Sequence, residues 1–145
     1  MIEKYQKKIQ TGEKIEPALL SLLDAACEGL VYISETDAPV LPFYGSVAAN
    51  VTGAMILHQT GRKADSATQE TDFDGFFERL TTVKDWFGEP EKARAKKFLE
   101  LKKLLEENLR SVKVFRLGKI QIDIYVVGLD ADGRVAGIAT KAVET

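Results

Sequence analysis

One cysteine, one histidine and one tryptophan occur in 145 residues, and each scarcity closes a class of function. Cys27 has no partner for an internal disulfide, so a disulfide framework is excluded and a reducing compartment fits. A metal centre built on His and Cys needs those ligands clustered, whereas His58 and Cys27 stand 31 positions apart. Any nucleophile triad would have to use His58. Neither GxGxxG nor GxxxxGK followed by Ser or Thr occurs, which removes the usual nucleotide-phosphate loops. Long apolar runs are also missing. Ala38–Gly61 is uncharged for 24 residues, yet Pro39, Pro42, Gly45, Asn50, Gly53, His58 and Gln59 interrupt it, so it reads as strand, turn and short helix rather than a membrane span. Met1-Ile2-Glu3-Lys4 lacks the apolar core of a secretory signal, and the expected location is the cytoplasm.

What is present is an ordinary globular composition, 45% hydrophobic and 29% charged, in a length suited to one domain with a sizeable core. The formal charge of -2 hides an asymmetry. Residues 28–91 hold four bases and eleven acids, whereas residues 92–145 hold twelve bases and seven acids. The acidic central block disfavours DNA or RNA as a direct ligand and favours a basic partner surface. A stretch of solvated acids without a partner gives the same count.

Residues 1–15 are weakly patterned and read as a frayed extension, leaving 16–145 as the single domain. Pro17 suits a first helical position, and Leu19, Leu20, Leu22, Leu23, Ala26, Cys27 and Leu30 form one apolar face of a helix stopping near Gly29. A small buried hydrophobe is expected at Cys27. Leu30–Ser34 reads as a short strand, 34–39 as a polar loop and Pro42–Ala48 as a second strand. Thr52 then caps a helix through Gln59 that ends at Gly61. Arg62–Thr71 reads as polar linker. Asp72 starts a helix with Phe73, Phe76, Phe77 and Leu80 on one face, and Glu91–Leu109 is the clearest helix. From Val112 the apolar period shortens to two. The runs 112–117, 119–128 and 134–143, separated by Gly118 and Asp130-Ala131-Asp132-Gly133, predict an antiparallel meander. The fold class is α+β, with helices of the first three quarters packed on a mainly antiparallel sheet whose C-terminal third is that three-stranded meander.

Chemical candidates are few. Asp130-Ala131-Asp132-Gly133 resembles the opening of a calcium loop but lacks its later oxygen ligands, so a hairpin turn is the reading. Asp72 with Asp74, or Asp85 with Glu89, offers paired carboxylates without further catalytic company. Lys96, Lys97, Lys102 and Lys103 are interleaved with Glu100, Glu106 and Glu107, as on a solvated helix face. Trp86 lies between two helices and is flanked by acids at Asp85, Glu89 and Glu91. It is open to two readings, a lid on the core or an exposed interface anchor. The last strand runs nearly to Val143-Glu144-Thr145, which places Glu144 and Thr145 at a strand end.

Several blocks, in order, resemble the nuclease A inhibitor (NuiA) family. They include Phe115-Arg116-Leu117-Gly118, Asp123-Ile124-Tyr125-Val126-Val127-Gly128, Ala136-Gly137-Ile138-Ala139-Thr140-Lys141 and Val143-Glu144-Thr145. Ile33-Ser34-Glu35, Gln59-Thr60-Gly61, Phe76-Phe77 and Thr81-Thr82 leading to Asp85-Trp86 join them. The resemblance implies an α-β-α sandwich that is not an enzyme and carries no cofactor. It also implies binding, as a monomer in a 1:1 complex, to a sugar-nonspecific, magnesium-dependent DNA/RNA endonuclease of the ββα-metal type. The binding residues it implies are Glu35, Asp85, Trp86 and Thr145, with Thr145 contacting the partner's magnesium; Glu144 joins them from its place at the strand end. No metal of the chain's own, no direct nucleic acid and no membrane are expected. Departures are the first ~16 residues, which have no counterpart, the less acidic Gly88-Glu89-Pro90, and Lys119 and Gln121 in places where acids stand in the family. The alternative is a general protein-interaction module whose acidic docking face serves another partner.

Overall fold

Period-two apolar patterning produces the centre of the molecule. The structure, a computed structural model, describes residues 15–145. The expected frayed extension lies outside the described residues except for Ile15, which opens a helix. Strands β5 (Arg110–Leu117), β6 (Gln121–Leu129) and β7 (Arg134–Val143) form the antiparallel meander predicted from the sequence. Ile124 of β6 pairs with Arg116 on one side and Thr140 on the other. The β5–β6 turn depends on Gly118, whose φ of 108 and crowding against the Gln121 carbonyl leave no room for a side chain. Asp130 Oδ1 accepts the N–H groups of Asp132 and Arg134 at 2.8 and 3.0 Å, folding the β6–β7 turn.

Two strands extend this meander. β3 (Leu41–Val47) pairs with β7, and β4 (Thr68–Thr71) pairs with β5, giving the all-antiparallel order β3-β7-β6-β5-β4. β4 corrects the polar-linker reading of 62–71. Thr68-Gln69-Glu70-Thr71 has no apolar alternation because it is an edge strand with little buried surface, so backbone pairing alone defines it. The other edge is covered at its bulge, where Gln59 accepts the Ser46 N–H at 2.7 Å and donates to Ser46 Oγ at 3.0 Å. β1 (Val31–Ile33) and β2 (Asp37–Pro39) form a separate two-stranded ribbon, so the expected 34–39 loop is half strand.

Helices cover both sheet faces. α1 (Ile15–Cys27), α3 (Phe73–Thr81) and α4 (Glu89–Asn108) pack on one, and α2 (Gly53–Gln59) on the other. Ile122, Ile124 and Val126 of β6 join Leu23, Phe77, Phe98 and Leu101 in the larger core. Val127 and Leu129 of the same strand face Ile56, Leu57 and Phe115. The α-β-α arrangement is therefore the expected fold. Pro17 falls inside the first turn of α1, where the N–H groups lack helical partners in any case. Leu22, expected on the buried face, is 48% exposed, because α1 buries a narrower stripe of Leu19, Leu23 and Cys27. Thr52 and Asp72 cap α2 and α3 as predicted. α4 starts two residues early because Glu91 Oε1 accepts the Gly88 N–H at 2.9 Å.

Helix direction sets where the loops fall. Lys102 Nζ lies 3.4 Å from Asp74 Oδ1, so α4 runs back along α3 and returns the chain to the start of β5. The α3–α4 turn consequently faces the end of the sheet where β5 ends, β6 begins and β7 finishes.

Two outcomes test this packing. Burial pushes the Cys27 thiol from 9.0 to about 11, Asp24 adding to the rise and Lys97 opposing it. The folded value lies above the unfolded one, so this group's contribution to stability is complete below pH 9 and is lost as pH rises through about 11. Iodoacetamide at neutral pH should leave Cys27 unmodified in the folded chain and alkylate it in denaturant, read by mass spectrometry. At Gly137 an added Cβ would collide with the Val126 carbonyl oxygen. Gly137→Ala should cost on the order of 3 kcal/mol in chemical denaturation.

Candidate functional site

Among the described residues no group of three or more His, Cys, Asp or Glu is placed to hold a metal ion. His58 is exposed on α2 while Cys27 is buried on α1, so the two reactive side chains occupy opposite sheet faces. An open groove of about 660 Å³ runs between the end of α1 and β2–β3, lined by Leu30, Val40, Leu41 and Pro42 beside Asp24. Ser21 and Glu28 also line it, and most of its wall is apolar.

The most organised polar feature is at the finish of β7. The Ser34-Glu35 loop between β1 and β2 lies along one edge of the strand's end. Ser34 Oγ accepts the Val143 N–H at 3.0 Å, and the Glu35 N–H donates to the Val143 carbonyl at 3.3 Å. The Glu35 carboxylate then accepts the Thr145 N–H at 2.7 Å and the Thr145 hydroxyl at 3.0 and 3.1 Å. Along the opposite edge, Glu144 donates its N–H to the Ile120 carbonyl at 2.9 Å. Its carboxylate meets Arg116 at 2.6 Å, with the Arg116 side chain 12% exposed. Residues 143–145 are therefore held from both sides.

Sequence reasoning named Glu35, Glu144 and Thr145, and the structure brings them together; it missed Ser34 and Arg116 as their supports. Period-two patterning gives no hint of Arg116, since its ion pair with Glu144 arises only once β5, β6 and β7 align. Asp123, in one of the matching blocks, also has a structural use. It pairs with Arg62 and, at 3.0 Å, with Lys141, tying the 62–67 segment to β6 and β7.

Asp85 and Trp86 occupy the α3–α4 turn, closed by the Phe87 N–H donating to the Lys84 carbonyl at 3.0 Å. Both side chains are exposed, Trp86 at 71%, and Phe87 meets the indole edge-on at 4.8 Å between ring centroids. The lid reading of Trp86 is excluded by that exposure. The turn shares the sheet end with Glu35 and Thr145 but belongs to a different part of the chain. The ensemble offers carboxylates, a hydroxyl and an indole on a braced surface, which suits docking to another macromolecule.

A family model described as NuiA, nuclease A inhibitor-like protein, matches residues 17–145. No curated protein matches the chain. The matched span includes every strand among the described residues, the helices α2 to α4, and Glu35, Asp85, Trp86, Glu144 and Thr145.

The clamp predicts a local effect. Glu35→Ala should remove the acceptors of the Thr145 N–H and hydroxyl, abolishing protection of the Thr145 amide in hydrogen exchange. Because both residues are exposed, global stability should fall by no more than about 1 kcal/mol. Unchanged Thr145 protection would count against the clamp.

Proposed function

The chain belongs to the nuclease A inhibitor-like family, and from that premise we propose that it blocks a sugar-nonspecific, magnesium-dependent DNA/RNA endonuclease of the ββα-metal type. The braced end of the sheet enters the nuclease active site, one inhibitor to one enzyme, and protects nucleic acid in the cytoplasm. The chain does no chemistry of its own and needs no cofactor. The observation that supports this most is the Glu35–Thr145 clamp, which holds an exposed hydroxyl and carboxylate in one fixed geometry.

A site that cleaves phosphodiesters is basic and holds a divalent cation, so its complement is an acidic, rigid surface with oxygen donors. The Thr145 hydroxyl donates its proton to Glu35, which leaves its oxygen lone pairs available to a hard cation. Rigidity matters as much as charge, because a residue already fixed loses little freedom on binding. Glu35 thus has two tasks: its negative charge attracts the basic site, and its oxygens aim Thr145. Asp85 adds a second carboxylate in the role of a phosphate, while Trp86 adds apolar contact area. Glu144, ion-paired to Arg116, contributes chiefly by fixing the strand end. With no phosphodiester to cleave, the complex persists.

Titrating the purified chain into a magnesium-dependent ββα-metal nuclease degrading DNA should abolish cleavage at one equivalent, and excess magnesium should not restore it. Failure against such nucleases, with a different protein bound by the same surface, would favour the interaction-module reading. Trp86→Ala should weaken inhibition by about 2–4 kcal/mol, or about 30- to 1000-fold, measured as the inhibition constant. An unchanged constant would remove Trp86 as an anchor.

A further inference from the structure

Exposed apolar side chains are unevenly distributed over this protein. Among the described residues eight large hydrophobics are exposed, and four of them, Ile33, Val83, Trp86 and Ile120, lie on the loops and strand ends where β7 finishes. Such side chains need no explanation when scattered singly, but gathered on one end they mark a contact surface. Val83 accompanies Trp86 in the α3–α4 turn. Ile33 and Ile120 have no part in the docking set described above, and neither is needed by the core, being 48% and 56% exposed.

Backbone bonds fix both of them beside Thr145. Ile120 sits in the β5–β6 turn and accepts the Glu144 N–H through its own carbonyl. Ile33 closes β1, two residues before Glu35, whose N–H and carboxylate engage Val143 and Thr145. The N–H of residue 144 points toward one edge of the strand and those of 143 and 145 toward the other, so Ile33 and Ile120 stand on opposite sides of the β7 end. An apolar side chain therefore brackets the polar residue on each side.

We infer that Ile33 and Ile120 are a pair of apolar contacts that seal the rim of the nuclease cleft around Thr145. The inference rests on the inhibitor reading and adds to it the means by which water is kept from the polar centre. Energetically quiet contacts that exclude water surround the strongest contacts in interfaces generally. Here that exclusion lowers the local dielectric and strengthens the attraction between the clamp's carboxylate and a basic site. The charges nearby select the occupant. Glu35, Asp37, Asp85 and Glu89 are exposed at this end against Lys84 and Lys119. This surplus of carboxylates disfavours an anionic membrane and disfavours a second copy of the same end, while it complements a basic cleft.

The test uses the full chain carrying Ile33→Ser or Ile120→Ser, with Val47→Ser as control. Val47 is 64% exposed but stands at the opposite end of the sheet, beside the β6–β7 turn. Each rim substitution should raise the inhibition constant about tenfold, mainly through faster dissociation, and Val47→Ser should leave it unchanged. Ile120→Val, which keeps the apolar contact and cannot plausibly unfold the turn, should retain potency. Wild-type potency in both serine variants, with Trp86→Ala still impaired, would overturn the rim while leaving the inhibitor reading intact. An equal loss in Val47→Ser would overturn it too. A wild-type chain that inhibits no ββα-metal nuclease would instead remove the reading on which the rim rests.

Discussion

Backbone pairing along both edges of β7 is the constraint on which the rest of this structure depends. The strand is in continuous register with β6 from Leu129↔Val135 to Gln121↔Val143, and with β3 from Leu41↔Ala139 to Tyr44↔Ala136. Ala136, Ile138 and Ala142 enter the larger core from one of its faces, and Val135 enters the smaller core from the other. Small residues are needed here because the neighbouring backbones approach closely. Gly137 lies where the Val126 carbonyl would occupy the position of any Cβ. Both helical layers thus register against a single strand, and the same strand carries Glu144 and Thr145 beyond its last ladder bonds. Stability and docking geometry have a common origin.

Where a residue pattern coincided with burial, the sequence was informative. Ile122, Ile124 and Val126 alternate because their face of β6 is buried while Gln121, Asp123 and Tyr125 on the other are exposed or half-buried, and Phe98, Leu101 and Leu105 repeat because α4 lies flat on the sheet. Thr68–Thr71 was illegible for the opposite reason: an edge strand with exposed side chains carries no apolar period. Leu22 misled because α1 buries a narrower stripe than its leucines suggest. Glu35 emerged only from ordered resemblance to a family; the lone tryptophan drew attention to Trp86 and its neighbour Asp85, and position at a strand end to Glu144 and Thr145. For Trp86, residue type alone left lid and anchor open, and its exposure excludes the lid. Ser34 and Arg116 could not be found in advance, since their roles exist only after distant strands are brought into register.

The supports around the docking end differ in kind from the side chains they present. Ser34 and Arg116 are partly buried and hydrogen-bonded or ion-paired, whereas Trp86, Ile33 and Ile120 project with much of their surface in water. Charges elsewhere are absorbed internally, as where Asp123 is shared by Arg62 and Lys141. The sheet's edges are blunted as well, one by the short polar β4 and the other by Gln59 bonded across Ser46.

The pairing of β3 with β7 also governs when the protein comes into being. On a ribosome Leu41 emerges long before Ala139, its partner, so β3 has no strand to pair with until β7 is made. Nascent or truncated chains that lack β7 would be neither folded nor partly competent. Closure of the sheet waits on the pairing of Leu41 with Ala139, segments far apart in the chain, which slows folding. A cell relying on such a chain would need it complete before the partner appears, so timing of synthesis becomes part of how the interaction is controlled.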